Sequence, residues 1–186
     1  MYIRSHKGKS LIENLNDYTV LDIETTSLDS RDGEILEISA LKVRNQKIVG
    51  EFSKLIKVSE VGAFTTHLTG ITDEEMRRYD EDIDIVLNEF LAFLGDDVIV
   101  GHNVNFDINF IYDNLKDKLG LYLTNDFVDT LRLSRMLLTF LPRHRLDDLI
   151  SYFNLKKRSE HRALNDCILT NQVYLKLCDM LIKMEI

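Results

Sequence analysis

The pattern of apolar and polar positions divides the chain into opening strands, followed by helices that alternate with short strands. In TVLDIET (Thr19–Thr25) the two kinds of residue alternate. Val20, Asp22 and Glu24 share one face, and Leu21 and Ile23 point to the other, as in a strand. A turn-rich loop, SLDSRDG, comes next. EILEISALKV and KIVGEFSKLIKV read as two further strands, joined at Arg44-Asn45-Gln46 into a hairpin. Helical spacing begins after Thr72, where TDEE resembles a capping box. Ile83, Val86, Leu87, Phe90, Leu91 and Leu94 then form one helical stripe. DVIVG (Asp97–Gly101) reads as a short buried strand, and NVNFDINFIYDNL turns helical, with Ile108, Ile111, Leu115 and Leu119 on one face. FVDTLRLSRMLL runs from a short strand into a helix, Leu146–Phe153 forms a short helix, and a long helix from Arg162 to about Ile182 closes the chain. This order predicts an α/β fold whose sheet is mixed, the hairpin supplying the antiparallel part. Residues 1–16 read as a polar lead-in and 17–186 as one domain.

Length and composition agree with that reading. The 186 residues, 45% hydrophobic and 29% charged, suit one globular core. No apolar run approaches the ~20 residues that span a bilayer. The opening MYIRSHKGKS lacks the apolar stretch of a signal peptide, so no membrane partner is expected and the default location is the cytoplasm. Cys167 and Cys178 lie eleven residues apart in one expected helix, ~16 Å along its axis, too far to bridge each other.

Charge changes the picture more. The net charge is −8, which by itself argues against a nucleic-acid binder. From Thr130 to Arg162, however, eight basic residues (Arg132, Arg135, Arg143, Arg145, Lys156, Lys157, Arg158 and Arg162) face only three acids, Asp147, Asp148 and Glu160. The stretch is locally +5 and the remainder −13. A local basic surface on an acidic protein fits a phosphate-bearing ligand held at one place, although a solvated face explains it equally well.

The acids carry the candidate chemistry. Two carboxylates on one face of an apolar strand repel each other and resist desolvation. A cation between them makes the placement tolerable, and divalent Mg²⁺ or Mn²⁺ favours oxygen ligands. A strand end opening to solvent is the plain alternative for a lone Asp22–Glu24 pair. Asp107 falls in the first turn of the helix after DVIVG, where the helix dipole keeps it ionised; capping is the plain alternative there. In HRALND, His161 and Asp166 are five residues apart, about 140° around a helix, so they cannot share a face within it. His161 is therefore expected on the preceding loop, free to swing toward Asp166 and to act as a general base; a histidine that merely stands near a helix start is the plain alternative.

Together these segments resemble the DEDDh exonucleases of the DnaQ-like, ribonuclease-H-like superfamily. LDIETTSL is similar to their first motif, VGHNVNFDINF to the second and HRALNDC to the third in its histidine form; THLTGITDE and VDTLRLSR are also familiar. The likeness runs from about Tyr18 to Tyr174 and is greatest toward the proofreading exonucleases of bacterial replicative polymerase III, of the epsilon or PolC type. It implies a ribonuclease-H-like mixed sheet of about five strands flanked by helices. It also implies two divalent ions, Mg²⁺ or Mn²⁺. In this resemblance Asp22 bridges both ions, Glu24 and Asp166 support the one that holds the attacking water, and Asp107 helps hold the second. His161 takes the water's proton. Thr25, Thr26 and Leu28 line the terminal nucleotide, His67, Asn103 and Phe106 position its sugar or base, and Asp129 braces the site.

The sequence departs from the family at Ser27, where relatives usually have glycine, and in SEVGAFTTH, which lacks the prolines common there. The implied partner is a nucleic-acid 3′ end, DNA favoured over RNA, with a DNA polymerase as a candidate protein partner. An exoribonuclease of the same fold is the sibling alternative, and a non-catalytic nucleic-acid binding module is the alternative from another class.

Overall fold

The computed structural model describes residues 4–30, 32–76, 81–156 and 162–184. Its six-stranded sheet comprises β1 (Ser10–Leu11), β2 (Tyr18–Thr25), β3 (Ile35–Arg44), β4 (Lys47–Leu55), β5 (Ile99–Gly101) and β6 (Phe127–Asp129). In space the order is β1-β6-β5-β2-β3-β4. The run from β1 to β2 is parallel, and β2, β3 and β4 are antiparallel. The mixed sheet is thus as expected, with one strand more.

The additional strand is β1, inside the segment read as a lead-in. It pairs with β6 through Ser10↔Phe127 and Leu11↔Val128. Backbone hydrogen bonds, rather than a side-chain period, hold this segment. The Tyr174 hydroxyl accepts from Leu15 N–H and donates to the Glu13 carbonyl, both at 2.9 Å. Two residues are too few to show an alternation, so nothing in the pattern announces them.

The helices are α1 (Ala63–Thr69), α2 (Asp73–Met76), α3 (Ile83–Leu94), α4 (Asn105–Asn114), α5 (Thr130–Leu137), α6 (Leu146–Tyr152) and α7 (Ala163–Met184). A wider π turn, Leu115–Leu119, extends α4. Alternation along β2 separates two cores. Leu21 and Ile23 join Ile38, Ala40 and the α3 and α4 stripes on one face, including Phe90 and Ile108. Tyr18 and Val20 join Leu41, Val43 and the inward side of α7 on the other, including Cys167 and Tyr174. The two cysteines are free and buried. The sheet is therefore sandwiched between helical layers, both of which bury apolar stripes already visible in the sequence.

Two turns show why local sequence succeeds or fails. Asn45 and Gln46 both adopt positive φ, 50° and 60°, as the tight hairpin between β3 and β4 requires. By contrast α1, rich in threonine, has no helical signature. Gly70, left-handed at φ 74°, stops it by donating its N–H to Thr66 O. Downstream, Thr72 Oγ1 accepts from Glu75 N–H at 3.1 Å, so the expected cap is present.

Gly101 ends β5 where the backbone passes β2. A Cβ there would lie 3.0 Å from Leu21 O and nearer still to the Val104 side chain. Gly101→Ala is therefore expected to cost about 1–3 kcal/mol, as overpacking does. Urea denaturation of the variant beside the parent checks this, and an unchanged midpoint refutes it.

Candidate active site

The central strand β2 brings its alternating face to the end of the sheet, with the apolar residues behind and the acids at the mouth. Asp22 and Glu24 pair in register with Ser39 and Glu37 on β3. Helix α7 packs over this face, and Cys167 Sγ lies 3.3 Å from Ser39 O. One residue before Cys167, Asp166 projects toward β2. Carboxylate oxygens of Asp22, Glu24 and Asp166 all lie within 4.8 Å of one another, the only metal-compatible group of its kind among the described residues. Asp107 is not one of that trio. It sits buried in the first turn of α4, where its Oδ1 accepts from Ile23 N–H at 3.0 Å. Its charge nevertheless acts on Asp22.

The electrostatics reflect this crowding. Burial, followed by the charges of Asp107, Glu24, Asp166 and Glu37, pushes the Asp22 carboxyl well above the usual range. Glu24 rises to about 7, chiefly through burial and then through Asp166 and Glu37. Contrary to the expectation that the helix start keeps it ionised, Asp107 rises to about 8, because burial outweighs the backbone N–H groups that favour its charged form. A site made only of hard carboxylate oxygens, short of positive charge and desolvated, has the donor chemistry of a divalent-cation site.

Glu37 was not foreseen. It is 1% exposed on the same face. Ser39 and Ser53 hydroxyls donate to its Oε1 at 3.2 and 2.9 Å. Arg162 Nε donates to its Oε2 at 3.2 Å, while Arg162 Nη1 donates to Glu75 Oε1 at 2.9 Å. The same arginine's carbonyl accepts from Asn165 and Asp166 N–H, opening α7. Arg162 thus joins β3, α2 and the start of α7, and opposes the charge acting on Glu24. The available signal was a lone acid inside the apolar run EILEISALKV, two residues from a serine on the same face.

His161 lies outside the described residues; α7 starts at Ala163, two positions beyond it. The expected nucleotide-contacting residues lie on α1, at the end of β2 and on the segments that follow β2 and β5. After β2, Thr25 Oγ1 donates to Ser27 O at 2.7 Å, and Thr26 exchanges two hydrogen bonds with Glu34, both 2.9 Å. Ser27 Oγ accepts from Asp29 N–H at 3.3 Å, a contact glycine would not make. Leu28 stands 85% exposed. Thr65 Oγ1 donates to Thr26 O at 3.3 Å, tying α1, which carries exposed His67, to this loop. After β5, Asn103 adopts φ 57°. Asp129 Oδ1 accepts from Asn103 N–H and from Leu131 N–H, both 2.9 Å, which makes it a brace. Phe106 packs on Phe110 at 4.9 Å between centroids.

The family model described as "Exonuclease" matches residues 19–174. This chain belongs to the exonuclease family. It is 40% identical over 175 residues to the PolC-type DNA polymerase III of Caldanaerobacter subterraneus, covering 94% of this chain and 12% of that protein. The chain thus spans about one-eighth of the length of that relative. Among solved structures, E. coli exonuclease I in complex with a dA16 oligonucleotide aligns with TM-score 0.75 at 18% identity, over 91% of this chain and 43% of that one. The nuclease domain of 3′hExo, a DEDDh family member bound to rAMP, aligns with TM-score 0.73 at 16% identity, over 88% and 92%. This exonuclease-family domain shares their fold, and the resemblance to the PolC type drawn from its sequence is borne out.

The raised carboxyls fix the sign of a pH effect. A carboxyl with a raised folded-state pKa favours the protonated fold, so its penalty is absent at low pH and grows as pH rises toward that pKa. For Glu24 the window runs from 4.5 to about 7. In metal-free samples, Glu24→Gln is expected to gain melting temperature over the parent progressively across that window, and Mn²⁺ to stabilise the parent more at pH 8 than at pH 5. A pH-independent difference in thermal melts contradicts both.

Proposed function

We propose that this domain hydrolyses phosphodiester bonds at the 3′ end of DNA, with single-stranded or mismatched ends preferred, and releases nucleoside 5′-monophosphates. The convergence of Asp22, Glu24 and Asp166 on one point, beside Asp107, carries the reading. These four side chains would hold two divalent ions, Mg²⁺ or Mn²⁺. Such ions supply Lewis acidity toward the phosphate oxygens and lower the pKa of an attacking water.

The chain's own residues do the rest. The packing of β2, α4 and α7 holds the carboxylates in place against their mutual repulsion, and partial burial limits solvent competing for them. His161 removes the proton as the water oxygen bonds to phosphorus. The bond from phosphorus to the 3′-oxygen of the penultimate nucleotide breaks, and that oxygen takes a proton from solvent. Thr25, Thr26 and Leu28 line the terminal nucleotide, and His67, Asn103 and Phe106 position its sugar or base. Contacts to a base face tolerate any sequence, as non-selective trimming needs.

The 40% identity to a PolC-type polymerase supports a role in proofreading or repair, in the cytoplasm and alongside a DNA polymerase. An exoribonuclease is the second reading, favoured by one structural neighbour that holds rAMP. No described helix is long and apolar enough to cross a membrane.

Matched DNA and RNA oligomers digested with Mn²⁺ discriminate the two substrates; faster RNA cleavage removes the DNA assignment. Asp22→Ala is expected to abolish nucleotide release while remaining folded by circular dichroism, and retained activity refutes the metal assignment. His161→Ala is expected to slow turnover by ~10²–10⁴-fold, the usual contribution of a general base, and a parental rate at pH 8 rejects that role.

A further inference from the structure

The basic stretch noted in the sequence acquires a location in the fold. A cavity of about 660 Å³ opens between α5 and the loop before α6, lined by Arg135, Arg143, His144 and Arg145, with His102 and Asn103 as its inner wall. Arg143 is 70% exposed and touches one acid, with Nε 4.0 Å from Asp148 Oδ1. Asp148 also accepts from Arg145 N–H at 3.1 Å, and Asp147 lies beside it on α6. The Arg135 charge reaches Asp129 and His102. Among the described residues no acid lines the cavity itself.

The walls are built, not merely charged. His144 Nδ1 lies 3.2 Å from Ser134 Oγ, whose own hydrogen goes to Leu131 O. The histidine therefore donates through Nδ1 to Ser134, which fixes its ring in the wall. His102 Nδ1 lies 3.0 Å from Thr130 Oγ1. Burial lowers His102 to about 4, so it stays neutral and acts as wall rather than as charge.

Position decides what the cavity serves. Val20 pairs with Val100, and Gly101 with Asp129, so β6 lies two strands from β2 at the same end of the sheet. Two strand spacings are ~10 Å, the reach of one or two phosphates beyond the terminal nucleotide. Asn103 is common to the cavity and to the proposed terminal-nucleotide site. The loop also presents Phe140, 67% exposed, as a surface on which a base can stack.

We infer that this cavity binds backbone phosphates of the nucleic acid next to the nucleotide being removed. The inference rests on the exonuclease reading and adds to it a length-dependent anchor separate from the carboxylates. In an acidic protein such an anchor offsets the repulsion between the site and its polyanionic substrate.

The test is Arg143→Ala combined with Arg145→Ala, both exposed positions outside the catalytic machinery. Binding of a fluorescein-labelled single-stranded 12-mer, and of the same strand in a duplex, is measured with Ca²⁺ across a salt series. Hydrolysis of the small reporter thymidine 5′-monophosphate p-nitrophenyl ester with Mn²⁺ is measured in parallel. The double variant is expected to bind the 12-mer more weakly, with the slope of log K against log salt reduced by ~1.4, two phosphate contacts on a single strand. Reporter hydrolysis is expected to stay at the parental rate. Loss confined to the duplex still supports the cavity and assigns it to the complementary strand. Parental affinity and slope in both arms overturn the inference, as does a parent that binds neither probe. A parent that binds the 12-mer but hydrolyses neither reporter nor oligomer overturns the exonuclease reading instead, and leaves the phosphate anchor standing.

Discussion

Like charges held close together and partly withdrawn from water are the constraint on which this molecule is organised. Asp22, Glu24 and Asp166 meet at one point, with Asp107 beside them and Glu37 behind. Each would be more stable apart and solvated. The fold keeps them together because their backbones are committed elsewhere: β2 is locked between β3 and β5, and α7 is buried along β2 and β3. The two apolar cores, one on each face of the sheet, supply the stability that such a site consumes. The arrangement stores an electrostatic demand that a divalent cation meets, the usual relation between a strained polar site and the scaffold that supports it.

The demand is shaped, not uniform. Glu37 would add one more uncompensated charge on the metal face, but Arg162 and two serine hydroxyls absorb it. Through Glu75 the same guanidinium reaches α2, so a single side chain secures three elements around the point where α7 begins. Asp129 plays a comparable part on the opposite flank, where one carboxylate oxygen fixes both the Asn103 loop and the start of α5. Among the described residues the acids of β2 and α7 lie between these braces, and the basic cavity begins at Asn103. That polarity suits a polyanion whose end must come near carboxylates while its body is held by cations.

The relatives fit this account. Family membership covers residues 19–174, the span that holds every charged residue of the acidic site. The neighbours of known structure share the architecture at 16–18% identity, which speaks to the fold alone. At Ser27 the hydroxyl accepts from Asp29 N–H at 3.3 Å and fastens the turn around Leu28.

The sequence by itself determined the elements and the acids. Period-two alternation placed Asp22 and Glu24 on one face of a strand, period-3.6 stripes marked α3 and α4, and the two-residue hairpin turn followed from Asn45-Gln46. Those features are local, and a local pattern can encode them. Only the tertiary structure decided the rest. β1 is two residues long and exists through its pairing with β6, so no pattern could reveal it. α1 has poor intrinsic propensity and is held by Gly70 and by the tie from Thr65 to Thr26. Arg162, Glu37 and Glu75 lie up to 125 positions apart, and their union depends on the packing of α7 against the sheet. The same holds for the cations: sequence gave a surplus of positive charge over Thr130–Arg162, and folding gathered part of it around a cavity at the end of the sheet where the acids converge.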